Sequence, residues 1–255
     1  MSALAALSLG LIFVGTRNED VVTIIIETLQ ERPENQLNMT MARFFGVALG
    51  LLFLGKQESC EAIIDVINTM THPISKTLLF LIWQNIEQYI ELVVESCAYV
   101  GSGNVLKVQK MLHACSEHLE EKDSAHQAVA VLGIGLIASS EEIGNEMALR
   151  SMNHLLQYGE INIKRAVPLA LAVLNISNPK IQVQDLLSKL AYDTDVQLSH
   201  RAIIGLGLIG AGTNNARIAG TLRQLASYFG KDSNTLYLVR IAQGFLHMGK
   251  VCFIL

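Results

Sequence analysis

Residues 202–213 read AIIGLGLIGAGT, an apolar, glycine-rich stretch that ends in a short turn. Phrases of the same kind recur along the whole chain. Their shared small-residue position, five residues before the turn residue, is occupied by Gly10, Gly50, Ser96, Gly133, Ala170, Gly207 and Gly244. The intervals between these positions are 40, 46, 37, 37, 37 and 37 residues. Such a regular interval predicts a repeat protein whose units are the size of a helical hairpin.

A second segment with the pattern of an amphipathic helix follows each apolar phrase. After the opening stretch, apolar side chains recur at Ile218, Leu222 and Leu225. Spacings of three and four residues are typical of a helix, whereas a strand would alternate. Asn18 and Asn215 precede such segments, as N-cap residues do. The sequence therefore predicts an all-α fold, an α-α superhelix or solenoid in which each hairpin has an apolar inner helix and an amphipathic outer helix.

The repeats predict a single array over residues 1–255. Inner-helix phrases are expected near residues 5–15, 45–55, 91–101, 128–138, 165–175, 202–212 and 239–249. The charged connection at 116–126 is expected to be loose, and segment 78–90 is atypical because it lengthens one interval to 46. Pro168 is best tolerated in a first helical turn, so an inner helix is predicted to start near residue 166. An array with apolar ends is also expected to self-associate.

The glycines of the inner phrases have a packing explanation. Each glycine inside a helix costs about 0.5–1 kcal/mol relative to alanine, so repeated glycines need a compensating close approach of neighbouring helices. Residues 205–210 match GxGxxG by letter. A dinucleotide site needs a strand before that motif, and here the motif lies within a repeated helix. We therefore expect no dinucleotide cofactor.

Composition excludes several classes of function. The chain is 51% apolar and 16% charged with a net charge of -4, so it lacks the basic stripe of a nucleic-acid binder. No apolar run reaches the roughly 18 residues of a membrane span. The histidines and cysteines show no metal-ligand or catalytic spacing. The cysteines are expected to be reduced core thiols, and they are Cys60, Cys97, Cys115 and Cys252. We therefore expect that the protein is not an enzyme, that it binds no metal ion, cofactor or nucleic acid, and that it has no membrane partner.

The first outer helix has an acidic face. Asp20, Glu27 and Glu31 are spaced by 7 and 4 residues, which places them within about 40° of one another on a helix. Thr23 and Ile24 flank this stripe. The buried face is predicted to be formed by Val22, Ile25, Ile26 and Leu29. The pattern favours a partner that is basic around an apolar spot, and an ordinary solvated helix face is the alternative.

Three phrases give the repeat a family resemblance. They are GSGNVLKVQ at 101–109, AVLGI running into EIGNEMALR within 130–150, and GAGTNNAR at 210–217. They resemble the proteasome/cyclosome (PC) repeat, which occurs in the two large non-ATPase subunits of the proteasome regulatory particle. The resemblance implies part of a closed toroid, and a non-catalytic scaffold that supports ubiquitin-dependent degradation in the cytoplasm and nucleus.

The resemblance also implies partners and a site. Family members dock ubiquitin chains, and the ubiquitin-like domains of shuttle factors and a deubiquitinase, on acidic outer helices, and they contact proteasomal ATPase subunits. The residues that resemble such a site are Asp20, Thr23, Ile24, Glu27 and Glu31, with Glu61 and Asp65 as a weaker extension. The alternative is a generic helical-repeat adaptor of the HEAT or armadillo kind outside the proteasome.

Overall fold

Helices alone build the part of the chain that the structure describes. The computed structural model describes residues 2–31, 40–69, 77–116 and 125–249. Within these ranges there are α-helices, two short 3₁₀ segments (Thr40–Ala42 and Gln57–Cys60) and no strand. The predicted all-α fold is confirmed. None of the described helices combines the length and apolar character needed to cross a membrane.

Inner and outer helices alternate along the chain. The inner helices are α1 (Ser2–Ile12), α3 (Arg43–Leu52), α5 (Thr77–Ala98), α7 (Ala125–Ile137), α9 (Ile161–Leu174), α11 (Val196–Ile209) and α13 (Ser233–Leu246). The outer helices are α2 (Glu19–Gln30), α4 (Glu61–Thr69), α6 (Val105–Ser116), α8 (Glu142–Tyr158), α10 (Ile181–Leu190) and α12 (Ala216–Tyr228).

The helices form two compact units, Met1–Glu141 and Glu142–Leu255. In the first unit, α1, α3, α5 and α7 stack in chain order, and α2, α4 and α6 each pack on the inner helix that follows. In the second unit, α9, α11 and α13 stack in the same way, with α8, α10 and α12 packed on them. Segment 78–90 lies within α5, and most of 116–126 lies outside the described residues. The single array over 1–255 stays a prediction.

The helix ends correct the register of two repeats. Every inner helix ends two residues after a small residue, and these residues are Gly10, Gly50, Ser96, Gly135, Ala172, Gly207 and Gly244. The structural intervals are therefore 40, 46, 39, 37, 35 and 37 residues. The sequence had assigned Gly133 and Ala170 to this position, and that register was wrong by two residues. Each of the two helices has small residues two positions apart, so either one could be taken for the equivalent of Gly207.

The two small positions face opposite neighbours. A Cβ atom added at Gly207 would lie 2.7 Å from the Cα of Ala242 in the following inner helix. One added at Gly205 would lie 3.1 Å from the carbonyl oxygen of Pro168 in the preceding inner helix. A Cβ atom added at Gly10 would likewise lie 2.8 Å from the Cα of Ala48 in the following inner helix. The predicted close approach of helix backbones at the glycines is confirmed.

The turn after an inner helix caps the next inner helix. The N–H of Gly212 donates to the carbonyl of Phe245 over 3.0 Å, and that of Asn214 donates to Leu246 over 3.2 Å. The last carbonyls of an α-helix have no partner within the helix, so these bonds satisfy them. Both donors have positive φ, 68° and 55°. The same pair of bonds joins Gly15 and Arg17 to Leu51 and Leu52, and Gly101 and Gly103 to Leu136 and Ile137.

Pro168 lies inside a helix. Helix α9 begins at Ile161, so the predicted start near residue 166 was wrong. Proline offers no N–H to the carbonyl four residues earlier, which costs stability in a helix interior. Buried side chains upstream of the proline, Ile163, Ala166 and Val167, are 1%, 2% and 0% exposed. Their packing holds the helix together across the proline.

Candidate functional site

Helix α2 begins at a strong cap. The side-chain oxygen of Asn18 accepts hydrogen bonds from the N–H groups of Asp20 (3.0 Å) and Val21 (3.3 Å). Asn18 has an extended backbone, φ −68° and ψ 113°, as an N-cap residue should. Glu19 and Asp20 lie in the first turn, where the helix dipole favours negative charge. The cap fixes the start of the helix and therefore which side chains point outward.

The opposite face of α2 is buried against the inner helices. Val21, Val22, Ile25 and Leu29 are 8%, 4%, 1% and 2% exposed. The predicted burial of Val22, Ile25 and Leu29 is confirmed. Ile26 is half-exposed, contrary to the prediction, and Val21 takes its place in the buried face. This burial leaves α2 little freedom to rotate, so its outer face is defined.

The candidate residues on α2 share the exposed face. Asp20, Thr23, Glu27 and Glu31 are exposed, and Ile24 is 54% exposed. The ion pairs among the described residues involve none of these three carboxylates. The hydroxyl of Thr23 donates to the carbonyl of Glu19 over 2.9 Å. The face therefore presents hydrated negative charge around one apolar side chain, which suits a basic partner with an apolar centre.

The weaker extension lies on α4. Glu61 and Asp65 are both exposed and stand four residues apart on the helix. The Oε1 atom of Glu61 lies 3.8 Å from the Nζ atom of Lys107. Glu61 is thus already partly neutralised, so it has less charge to offer a partner than the acidic residues of α2.

Sequence reasoning missed a buried charge cluster between α5 and α6. Glu95 is 2% exposed, and its Oε1 atom accepts from the Nζ atoms of Lys107 (3.1 Å) and Lys110 (2.9 Å). Lys110 also donates to Glu91 over 2.6 Å. Burial pushes the pKa of Lys107 down, but the Glu95 carboxylate outweighs it and raises that pKa. The lysines are 12 and 15 residues from Glu95, and no motif marks that spacing.

The described cysteines are unreactive core thiols. Cys60 and Cys115 are buried, Cys97 is half-buried, and none forms a disulfide. Burial raises the pKa of Cys60 and Cys97 to about 11 and that of Cys115 to about 12. Cys252 lies outside the described residues. The described residues contain no group of three or more histidine, cysteine or acidic side chains that is arranged to hold a metal ion.

Known proteins match both a part and nearly the whole of the chain. Residues 202–234 match the proteasome/cyclosome repeat. The 26S proteasome non-ATPase regulatory subunit 2 homolog A of Arabidopsis thaliana is 54% identical over 97% of this chain. The 26S proteasome regulatory subunit rpn-1 of Neurospora crassa is 46% identical over 98% of it, and the 26S proteasome non-ATPase regulatory subunit 2 of Dictyostelium discoideum is 47% identical over 97%. The chain spans about a quarter of the length of these relatives, 26%, 27% and 26%.

The helices and the match at 202–234 define the class, an all-α helical-repeat protein of the proteasome/cyclosome type. Within this class, the chain is related over nearly its whole length to a segment of 26S proteasome non-ATPase regulatory subunit 2, which confirms the resemblance found in the sequence. The names of all three relatives describe regulatory subunits, and those from Arabidopsis thaliana and Dictyostelium discoideum also describe them as non-ATPase, in agreement with the non-catalytic role expected from the sequence.

Proposed function

We propose that the chain is part of a proteasome regulatory subunit, where it acts as a non-catalytic scaffold and docks ubiquitin or ubiquitin-like domains. The names of its relatives support the first part of this proposal. One observation supports the second part. Helix α2 is held in place by its cap and its buried face, and it exposes Asp20, Glu27 and Glu31 around Ile24.

The physical character of this face sets what it binds. Carboxylates in water attract a basic partner over about 8 Å at physiological salt, and they mainly speed encounter and fix orientation. Affinity then comes from apolar contact, since full burial of an isoleucine side chain contributes about 1.5–3 kcal/mol. The partner that fits is a small domain with basic side chains around an apolar patch. One such face predicts a modest affinity that depends on salt.

An NMR titration tests the docking role. An isotope-labelled ubiquitin-like domain of a shuttle factor is titrated with the chain and with its Asp20→Arg, Glu27→Arg variant. We expect the variant to lose roughly tenfold or more in affinity, because two attractive charges become repulsive. The matched control is Glu142→Arg, Glu146→Arg on α8, which makes the same charge change on another exposed outer helix.

The control separates the site from net charge. If both double variants weaken binding equally, the effect is one of total charge and the α2 site is refuted. Unchanged binding in the α2 variant also refutes it, provided that circular dichroism shows the same helix content. The scaffold role has its own test, which is co-sedimentation of the chain with proteasomal ATPase subunits. A chain that never co-sediments with them would leave a general helical-repeat adaptor as the better description.

A further inference from the structure

A groove of about 650 Å³ separates the outer helices α8 and α10 in the second unit. That volume lies in the range of ligand-binding clefts. The polar side chains that line the groove are Glu146, Arg150, Asn153, Lys180 and Gln182, with Ile181 beside them. Outer helices α6 and α12 come before and after this pair in the chain, so the groove is not produced by an end of the chain.

The next gap between outer helices, from α10 to α12, is bridged by an ion pair. Arg217, the second residue of α12, donates to Asp185, the fifth residue of α10, over 2.6 Å. The corresponding residues across the groove are Gln182, the second of α10, and Glu146, the fifth of α8. Among the described residues, neither of these two side chains has a hydrogen bond or an ion pair. The bridge of the neighbouring gap is thus missing here, which leaves both side chains available to another molecule.

The groove carries an excess of positive charge on a chain whose net charge is -4. Its two cations are Arg150 and Lys180, and its one carboxylate is Glu146. The Nζ atom of Lys180 donates to the Oδ1 atom of Asn145 over 2.9 Å, so its charge is not neutralised by that partner. Arg150 is exposed and has no ion pair among the described residues. Since a guanidinium presents a fork of N–H donors that matches a carboxylate, the groove suits an acidic group.

Side-chain amides and apolar side chains complete this surface. Asn153 and Gln182 are exposed, and each amide offers a donor and an acceptor, as a peptide bond requires. Ile181, Ile143 and Met147 are 64%, 77% and 61% exposed. At 100° per residue, Ile143 and Met147 lie within about 60° of Arg150 around α8. Apolar side chains therefore stand next to the unpaired cation, an arrangement typical of an interaction surface.

We propose that the groove between α8 and α10 docks an extended peptide segment of a partner protein, in which a carboxylate stands beside an apolar side chain. Arg150 binds the carboxylate, and Lys180 adds attraction. Asn153 and Gln182 bind the peptide backbone, and the apolar side chain packs on Ile181. The excess of positive charge in the groove selects an acidic segment. This site is separate from the acidic face of α2, which suits a basic partner.

Fluorescence anisotropy with two synthetic peptides tests the groove. One labelled peptide alternates aspartate with leucine, and the other has lysine in place of every aspartate. We expect the unmodified chain to prefer the aspartate peptide. Arg150→Glu should weaken binding of the aspartate peptide roughly tenfold or more and strengthen binding of the lysine peptide, because an attractive charge becomes a repulsive one. Ile181→Ser should weaken binding of the aspartate peptide several-fold, because it removes apolar contact.

The matched control is Arg223→Glu on α12, which makes the same change at an exposed arginine that has no ion pair among the described residues. It should bind the aspartate peptide like the unmodified chain, and so should the Asp20→Arg, Glu27→Arg variant of α2. The proposal is overturned if the unmodified chain does not bind the aspartate peptide. It is equally overturned if Arg150→Glu and Arg223→Glu weaken binding alike, or if Arg150→Glu gains nothing with the lysine peptide. Circular dichroism checks that each variant keeps its helix content.

Discussion

Helices α2 and α12 share one scaffold and present different surfaces. Both follow a turn glycine with positive φ, and both begin three residues after it at an asparagine cap, Asn18 and Asn215. Counted from the cap, Val21, Val22 and Ile25 correspond to Ile218, Ala219 and Leu222, and all six are buried. The exposed positions Asp20, Ile24, Glu27 and Glu31 correspond to Arg217, Thr221, Gln224 and Tyr228.

The difference shows how the repeat separates folding from recognition. The cap and the buried positions keep the same chemistry in both helices, so both pack in the same way. At the exposed positions the acidic residues of α2 are replaced by one basic and two neutral side chains in α12, and the basic one, Arg217, is already paired with Asp185 at 2.6 Å. The carboxylates of α2 have no such partner among the described residues. A surface whose charges are unpaired on a fixed scaffold is available for another molecule.

The largest expected effect comes from disturbing the shared scaffold. Gly207→Ala places a Cβ atom 2.7 Å from the Cα of Ala242, and we expect it to destabilise the fold by about 1–3 kcal/mol. Gly220→Ala on α12 has open space, so it should stabilise by about 0.5–1 kcal/mol through helix propensity. Urea unfolding measures both. If Gly207→Ala instead stabilises the fold and Gly220→Ala destabilises it, the inner glycines are not packing positions.

Removing the caps should weaken both helices alike. Asn18→Ala and Asn215→Ala each remove a side chain that accepts two backbone hydrogen bonds. Each should cost about 1 kcal/mol in thermal or chemical unfolding. Only Asn18→Ala should also lower affinity for a ubiquitin-like domain, because only α2 carries the proposed site. If Asn215→Ala lowers that affinity as much, the two surfaces do not differ in function.

Transferring the surface sharpens the comparison further. In the Asp20→Arg, Glu27→Arg background, the substitutions Arg217→Asp, Thr221→Ile, Gln224→Glu and Tyr228→Glu give α12 the exposed residues of α2. We expect weak binding of a ubiquitin-like domain to return, seen as NMR shifts that the unmodified α12 does not cause. The control carries the same acidic changes but keeps Thr221, and it should bind less. A graft that restores nothing would mean that recognition needs more than the face of one helix.

Salt should produce the smallest change. Raising ionic strength from about 0.01 M to 0.15 M shortens the Debye length from roughly 30 to 8 Å. Binding of a ubiquitin-like domain to the unmodified chain should weaken several-fold, mainly through a slower association rate. The unfolding free energy should change little, because the exposed carboxylates of α2 make no ion pairs among the described residues. Salt-independent association would indicate an apolar contact without electrostatic steering.

Much of the fold was visible in the sequence, since apolar periodicity reports which face of a helix is buried. The acidic face of α2 could be placed for the same reason. The register at Gly133 and Ala170 could not be predicted. In a phrase with two small residues, the sequence does not show which one contacts the preceding inner helix and which one contacts the following inner helix. The start of α9 was missed because local proline chemistry was overridden by packing upstream of Pro168. The Glu95 cluster depends on contacts between helices that no local spacing records.

The backbone bonds of the turns give the array a direction. Gly15, Gly101 and Gly212 each donate forward to a helix that comes later in the chain. When a later helix opens, the turn before it loses its acceptors, so amide protons in an intact repeat become exposed to exchange. Amide hydrogen exchange at Gly212 therefore reports opening of α13, the helix that follows it, as well as opening of its own turn. Local unfolding in one repeat is thus detectable at the turn of the repeat before it.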